Sequence, residues 1–194
     1  MQNDNLKSYL HLHVIVFIWG FTAILGKLIS LEALDLVWYR MLFASVIMTF
    51  VVLLSKEKVK VPFNVLIGFI VSGIIIAAHW LTFYQAIKVS NISITLACLS
   101  TGAFFASILE PIFYKRKVIW YELLFGVIVV VGLGIIFNVE TKYTTGIYLA
   151  VTSAFLSALF SVINGKYAKE YNPNIISLYE LSSGVFFISI YLFF

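Results

Sequence analysis

Charged residues are scarce in this sequence: Asp, Glu, Lys and Arg make up 11% of the 194 residues, whereas 62% are hydrophobic. Soluble globular domains carry about 25% charged and about 45–50% apolar residues. There is therefore too little charge to cover a water-facing surface, which excludes a soluble enzyme. A disordered chain is excluded too, because disorder requires low hydrophobicity. The composition indicates a polytopic membrane protein.

Cysteine, proline and glycine are also rare. The single cysteine, Cys98, excludes an intrachain disulfide framework and any multi-cysteine metal site. Three prolines and 11 glycines are too few for a fibrous or linker protein. Pro62 and Pro173 stand where apolar segments begin, a position at which a missing N–H costs nothing. Pro111 lies inside the fourth segment and is predicted to bend it.

Seven stretches are long and apolar enough to cross a membrane, which takes about 20 residues of helix. They cover residues 8–26, 36–55, 61–88, 89–109, 118–139, 143–165 and 174–194. Helices are favoured over strands because the backbone of a helix is fully hydrogen-bonded within itself in lipid. We therefore predict an all-α integral membrane protein with about seven transmembrane helices.

The distribution of Lys and Arg predicts the orientation. With the N-terminus in the cytoplasm, three basic residues lie outside, Arg40 lies within the second segment, and the other nine of the 13 lie inside. This is a strong positive-inside bias, and we expect a multi-pass protein of the inner or plasma membrane. Because the basic residues are dispersed among the loops, no nucleic-acid partner is expected. The lipid bilayer is the expected surrounding.

One motif recurs along the chain. Phe21–Lys27 and Phe160–Lys166 share four of seven positions, at an offset of 160 − 21 = 139 residues. Because the offset contains five segments, an odd number, the second copy must run in the opposite direction, as in the inverted repeats of many transporters. We therefore expect a first five-helix unit over residues 8–139 and the start of a second, inverted unit over 143–194. The apolar end at Phe194 leads us to expect an incomplete second unit.

Several short motifs resemble the EamA family of the drug/metabolite transporter superfamily. They are Phe17–Thr22, Trp38–Leu42, Phe83–Ile87, Leu109–Phe113, Leu124–Gly126 and Val131–Leu133. The resemblance implies ten helices in two inverted repeats, of which this chain holds seven. It also implies a permease or exporter of small organic solutes such as amino acids, working by gradient-driven alternating access. A proton or another coupling ion is an expected partner. Whether the protein forms a homo-oligomer is left open.

Polar and aromatic residues inside the segments are the candidates for a substrate path. They are Trp19, Arg40, His79, Tyr84, Gln85, Ser100, Thr101 and Asn164. Each has a structural alternative. Arg40 can pair with Asp35 while its side chain extends to the interface, His79 can be hydrogen-bonded within the bundle, and small residues can simply allow close helix approach.

Glu110, Pro111 and Glu180 are the candidates for coupling or gating. A carboxylate beside a helix bend can change its solvation between two states, which favours Glu110 with Pro111. The alternative is that Glu110 balances the basic cluster Lys115–Lys117. Glu180 lies within the last segment, where an ionisable group is functional by default.

Other classes of function have less support. The sequence has no catalytic or nucleotide-binding motif, so we expect neither an enzyme nor a cofactor. His11 and His13 are two residues apart and point away from each other on a helix, so no metal site is expected. The alternatives to a transporter are a non-transporting accessory or scaffold subunit, an inactive fragment of a transporter, and a lipid-modifying membrane enzyme.

Overall fold

The computed structural model describes residues 2–139 and 141–193, and the side chains of residues 6–135 and 142–192. This part of the chain is helical throughout, apart from short connections. Its α-helices are α1 (Gln2–Leu28), α2 (Ala33–Ser55), α3 (Phe63–Val89), α4 (Ile92–Leu99), α5 (Gly102–Tyr114), α6 (Trp120–Val139), α7 (Thr144–Tyr167) and α8 (Pro173–Phe193). A 3₁₀ turn, Thr141–Tyr143, precedes α7. Phe194, where the second unit is expected to be still incomplete, lies outside the described residues.

The predicted all-α membrane architecture is confirmed. Six segments of the described chain are long and apolar enough to cross a membrane, with α4 and α5 counting together as Ile92–Tyr114. The remaining predicted segment, residues 118–139, forms α6, whose 20 residues span about 30 Å at 1.5 Å per residue. Two helices begin at prolines, as predicted: α8 begins at Pro173, and Pro62 directly precedes α3.

The fourth segment is interrupted at a place that was not predicted from the sequence, whereas the bend expected at Pro111 stays a prediction. Helix α5 continues through Pro111, and the break lies at Ser100–Thr101, between α4 and α5. Both hydroxyls there donate to backbone carbonyls three residues earlier, Ser100 to Ala97 at 2.6 Å and Thr101 to Cys98 at 2.7 Å. Such local bonds compete with the regular helical pattern, so two consecutive hydroxyl residues explain the interruption.

Helix α3 lies at the centre of the bundle. It packs against α7, α8, α2 and α1, and it carries more buried side chains than any other described helix. Helix α8 packs against α2 as well as α3, and α7 connects this half to α4 and α5. The outer faces are apolar, with Trp19, Leu54 and Phe63 well exposed. An exposed apolar surface of this extent suits lipid rather than water.

Candidate functional site

Arg40 lies against two aromatic rings of the central helix. Its Cζ is 4.6 Å from the ring centroid of Trp80 and 5.4 Å from that of Tyr84. The two rings are four residues apart on α3, so they lie on one face of that helix. A guanidinium within about 6 Å of a ring centroid is attracted by the electron-rich face of the ring. Arg40, Trp80 and Tyr84 form a cluster that we call the arginine–aromatic site.

The guanidinium of Arg40 retains its capacity to donate hydrogen bonds. Arg40 is half-buried, and no ion pair or hydrogen bond of its side chain is found in the described part of the chain. The expected alternative, a pair with Asp35, is therefore not what the structure contains. A planar guanidinium with unused donors and aromatic neighbours is suited to a carboxylate or phosphate group.

Helix α1 closes over this site through a glycine. A Cβ atom on Gly26 would lie 2.5 Å from Cδ1 of Tyr84, so only glycine allows the ring its place. Tyr84 is fully buried, with Phe83 packed edge-on at 5.2 Å between ring centroids. The glycine of the repeated motif thus serves to position a site residue.

His79 is hydrogen-bonded within the bundle. Its Nδ1 lies 2.9 Å from both the carbonyl and the hydroxyl oxygen of Ser153 on α7. The Ser153 hydroxyl also lies 3.2 Å from the His79 carbonyl, to which it donates. With Nδ1 protonated, the ring donates to the Ser153 carbonyl. The arrangement joins α3 to α7 at the centre of the fold, which corresponds to the structural alternative stated for His79.

A second cluster surrounds Glu180 on α8. Its side chain is 4% exposed, and its Oε2 accepts a hydrogen bond of 3.1 Å from Nδ2 of Asn164 on α7. The Ser72 hydroxyl on α3 lies beside this carboxyl group but is not in hydrogen-bonding geometry with it. Three helices therefore each contribute one polar side chain to this buried point. We call Ser72, Asn164 and Glu180 the carboxyl–amide cluster.

A third cluster lies where α5 leads into α6. Arg116 donates to Glu110 at 2.9 Å and to Glu122 at 2.7 Å. These two hydrogen bonds raise the pKa of Arg116, so it stays charged throughout the neutral range. A cavity of about 340 Å³ adjoins the three residues and is otherwise lined mainly by small and apolar residues of both helices. The cluster ties the end of one helix to the start of the next.

The remaining predicted residues do not join these clusters. Trp19 is exposed on α1, and Ser100 is exposed at the break between α4 and α5. Thr101 is buried and donates within its own turn, and Gln85 lines an open, mostly apolar depression of about 240 Å³. Pro111 lies within α5, near the third cluster. Among the described residues, no group of three or more metal-binding side chains is found.

Sequence reasoning did not single out Trp80, Ser72, Ser153 or Arg116 as site residues. Only Trp80 carried a usable signal, because its spacing of four from Tyr84 places both rings on one helical face. Ser72 is the one serine within α3, and Ser153 belongs to a row of small residues on α7; many such residues in apolar helices serve packing alone. Arg116 belongs to a basic loop that already had an explanation in the membrane orientation.

The fold and these clusters define a multi-pass, all-helical integral membrane protein. The EamA-like transporter family matches residues 6–138, which is more than half of the chain, and the chain belongs to this family. No curated protein and no solved structure matches the chain. Membership of this family indicates a membrane transporter of small solutes.

Proposed function

We propose that this chain is a permease for small organic solutes, amino acids among them, and that the arginine–aromatic site contacts the solute. The supporting observation is the half-buried Arg40, whose guanidinium lies over two rings and makes no ion pair among the described residues. A solute carboxylate would supply the missing acceptor, and the rings of Trp80 and Tyr84 would favour an organic solute over an inorganic ion.

Transport in this proposal is gradient-driven alternating access. The N-terminus is cytoplasmic, and residues 8–139 and 143–194 belong to two units of inverted orientation that move against each other. Support comes from the packing of α7 and α8 onto α3 and α2, which joins the two units near the arginine–aromatic site. Glu110, Arg116 and Glu122 lie at a helix connection, where an ion pair can form and break as the units move.

Uptake and counterflow of radiolabelled amino acids into proteoliposomes test the proposal. Replacing Arg40 by Ala removes the charge, so solute affinity should fall about 10- to 100-fold, the range for a charged hydrogen bond worth about 1.5–3 kcal/mol. Arg40→Lys keeps the charge but loses the planar pair of donors, so an intermediate loss is expected. Lys58→Ala serves as the control, because Lys58 is an exposed cation in a loop.

Unchanged flux in both Arg40 variants would remove Arg40 from the mechanism. No flux with the unsubstituted chain would contradict transport by this polypeptide alone and would favour an accessory subunit. A flux that is reduced equally in Lys58→Ala would show that the measurement reports general surface charge rather than the site.

A further inference from the structure

Glu180 is almost completely buried, with 4% of its surface exposed. Helices α3 and α8 are in direct backbone contact beside it, because a Cβ atom on Gly73 would lie 2.9 Å from the Cα of Glu180. On the next turn of α8, a Cβ atom on Gly184 would lie 3.2 Å from the carbonyl oxygen of Gly73. The enclosure is produced by close protein packing and does not depend on the lipid. Water therefore has little room to solvate this group.

Hydrogen bonding around Glu180 is incomplete in a specific way. Asn164 donates to Oε2, whereas Oε1 of Glu180 and Oδ1 of Asn164 are both buried without a hydrogen-bond partner. The Ser72 hydroxyl oxygen is the third buried atom in that condition. An ionised carboxylate and an amide oxygen can only accept hydrogen bonds. In the ionised state neither of these two oxygens can donate to the other, and the Ser72 hydroxyl, the neighbouring donor, makes no hydrogen bond to either of them.

No cation compensates this carboxyl group within the described chain, where both ion pairs found belong to Arg116. The titratable groups on the helices in contact with Glu180 are Asp35, Tyr39 and Arg40 on α2, His79, Tyr84 and Lys88 on α3, and Tyr148, Lys166 and Tyr167 on α7. Arg40 lies over its two rings and His79 is bonded to Ser153. On α8 itself, the Tyr179 hydroxyl donates to the Val59 carbonyl.

An isolated, ionised carboxylate in such surroundings is strongly unfavourable, and a buried acid becomes neutral instead. A bound proton removes the charge and converts Oε1 into an O–H donor, which is what the unpaired Oδ1 of Asn164 lacks. A metal ion fits less well, because hard cations such as Ca²⁺ take 6–8 oxygen ligands and only three unpaired oxygens are available here.

We propose that the carboxyl–amide cluster is a proton-binding site, in which Glu180 holds a proton on Oε1 at neutral pH and donates it to Asn164 Oδ1. Together with the bond from Asn164 Nδ2 to Oε2, this completes a two-point pair between a carboxylic acid and an amide. Ser72 Oγ is a second buried oxygen that can accept a hydrogen bond from the acid O–H when the pair opens. The proposal does not rest on the proposed transport function.

Infrared spectroscopy of the full chain in lipid nanodiscs at pH 7 tests this assignment directly. A carboxylic acid shows a C=O stretching band well separated from that of a carboxylate. We expect an acid band in the unsubstituted protein that is lost in Glu180→Gln and kept in Glu122→Gln, the control at a partly exposed, ion-paired carboxylate. Glutamine should preserve the fold, since its amide N–H can replace the acid O–H toward Asn164.

Asn164→Leu gives a second, independent measurement, because it retains Glu180 and removes its hydrogen-bond partner. The acid band should shift to higher frequency in this variant, whether or not Glu180→Gln folds. Absence of a Glu180-dependent acid band at pH 7 would overturn the proposal. So would loss of the band when NaCl replaces KCl at constant pH, which would identify Na⁺ as the ligand.

Discussion

The contact between α3 and α8 at Gly73 leads to a quantitative prediction about stability. In Gly73→Ala the added Cβ would overlap Ser183 Oγ and the carbonyl oxygen of Glu180, and it would lie 2.9 Å from Glu180 Cα. Ordinary contacts of a Cβ atom begin near 3.4 Å. The serine hydroxyl can rotate away, but the backbone of α8 cannot, so the two helices must separate.

Overpacking of this kind costs about 1–3 kcal/mol. Alanine also has a helix propensity about 1 kcal/mol better than that of glycine, which offsets part of the loss. Because the overlap at Gly73 is with backbone atoms, the upper part of that range, about 2–3 kcal/mol, applies, and the net decrease in the free energy of unfolding should be about 1–2 kcal/mol. In a chain of this size, each kcal/mol of lost stability lowers the midpoint of thermal unfolding by about 2–4 °C. The midpoint of Gly73→Ala should therefore fall by about 2–8 °C.

Thermal unfolding in detergent, followed by the fraction of monodisperse protein on size-exclusion chromatography, measures this shift. The matched control is Gly20→Ala, because a Cβ on Gly20 would meet nothing within 4 Å. That variant should be as stable as the unsubstituted protein or slightly more so. Ser183→Ala combined with Gly73→Ala should not restore stability, since the backbone overlap persists. Equal midpoints for Gly73→Ala and Gly20→Ala would refute the close contact between α3 and α8.

Two further predictions concern the other clusters. His79→Leu should lower the free energy of unfolding by about 1–2 kcal/mol, whereas Ser153→Ala should cost about 0.5 kcal/mol, because the Ser153 carbonyl still accepts from the histidine; equal effects on the unfolding midpoint would contradict this geometry. Arg116→Ala should lower the midpoint in low salt and have little effect at 1 M NaCl, because the ion pairs with Glu110 and Glu122 are partly exposed and screened. The pKa of Arg116 is raised, so its charge and this stabilisation persist below its ordinary pKa and are lost only at more alkaline pH. A midpoint difference that is unaffected by salt would argue against the ion pairs.

Most contacts between the site residues could not be predicted from hydropathy. The transmembrane helices are apolar on most of their faces, so periodicity does not tell which face contacts another helix. Arg40 was identified as a candidate from its position in a segment, but its aromatic neighbours lie 40 and 44 residues later in the chain. Glu180 was identified in the same way, and its partner Asn164 is on a different helix. Trp19 and Ser100 met the same criteria, yet both are exposed.

The break in the fourth segment shows how local chemistry and position compete. Pro111 is the residue with the strongest general tendency to disturb a helix, but it lies near the end of α5, in a helix that continues through it. Ser100 and Thr101 have a weaker tendency individually. As consecutive residues that both bond to their own preceding turn, they end α4 instead. The sequence contains both the proline and the pair of hydroxyl residues, and only the structure shows that the helix ends at the hydroxyl pair.

The sequence by itself determined the class of the protein, the number and position of its apolar segments, and their helical state. These follow from length and hydrophobicity, because a chain in lipid must satisfy its backbone internally and only certain lengths cross the bilayer. The tertiary structure decided that α3 is central, that Gly26 and Gly73 are points of close helix approach, and which polar groups meet. Those outcomes depend on the matching of side-chain shapes between helices that are equally apolar, and shape matching is fixed only when the helices pack.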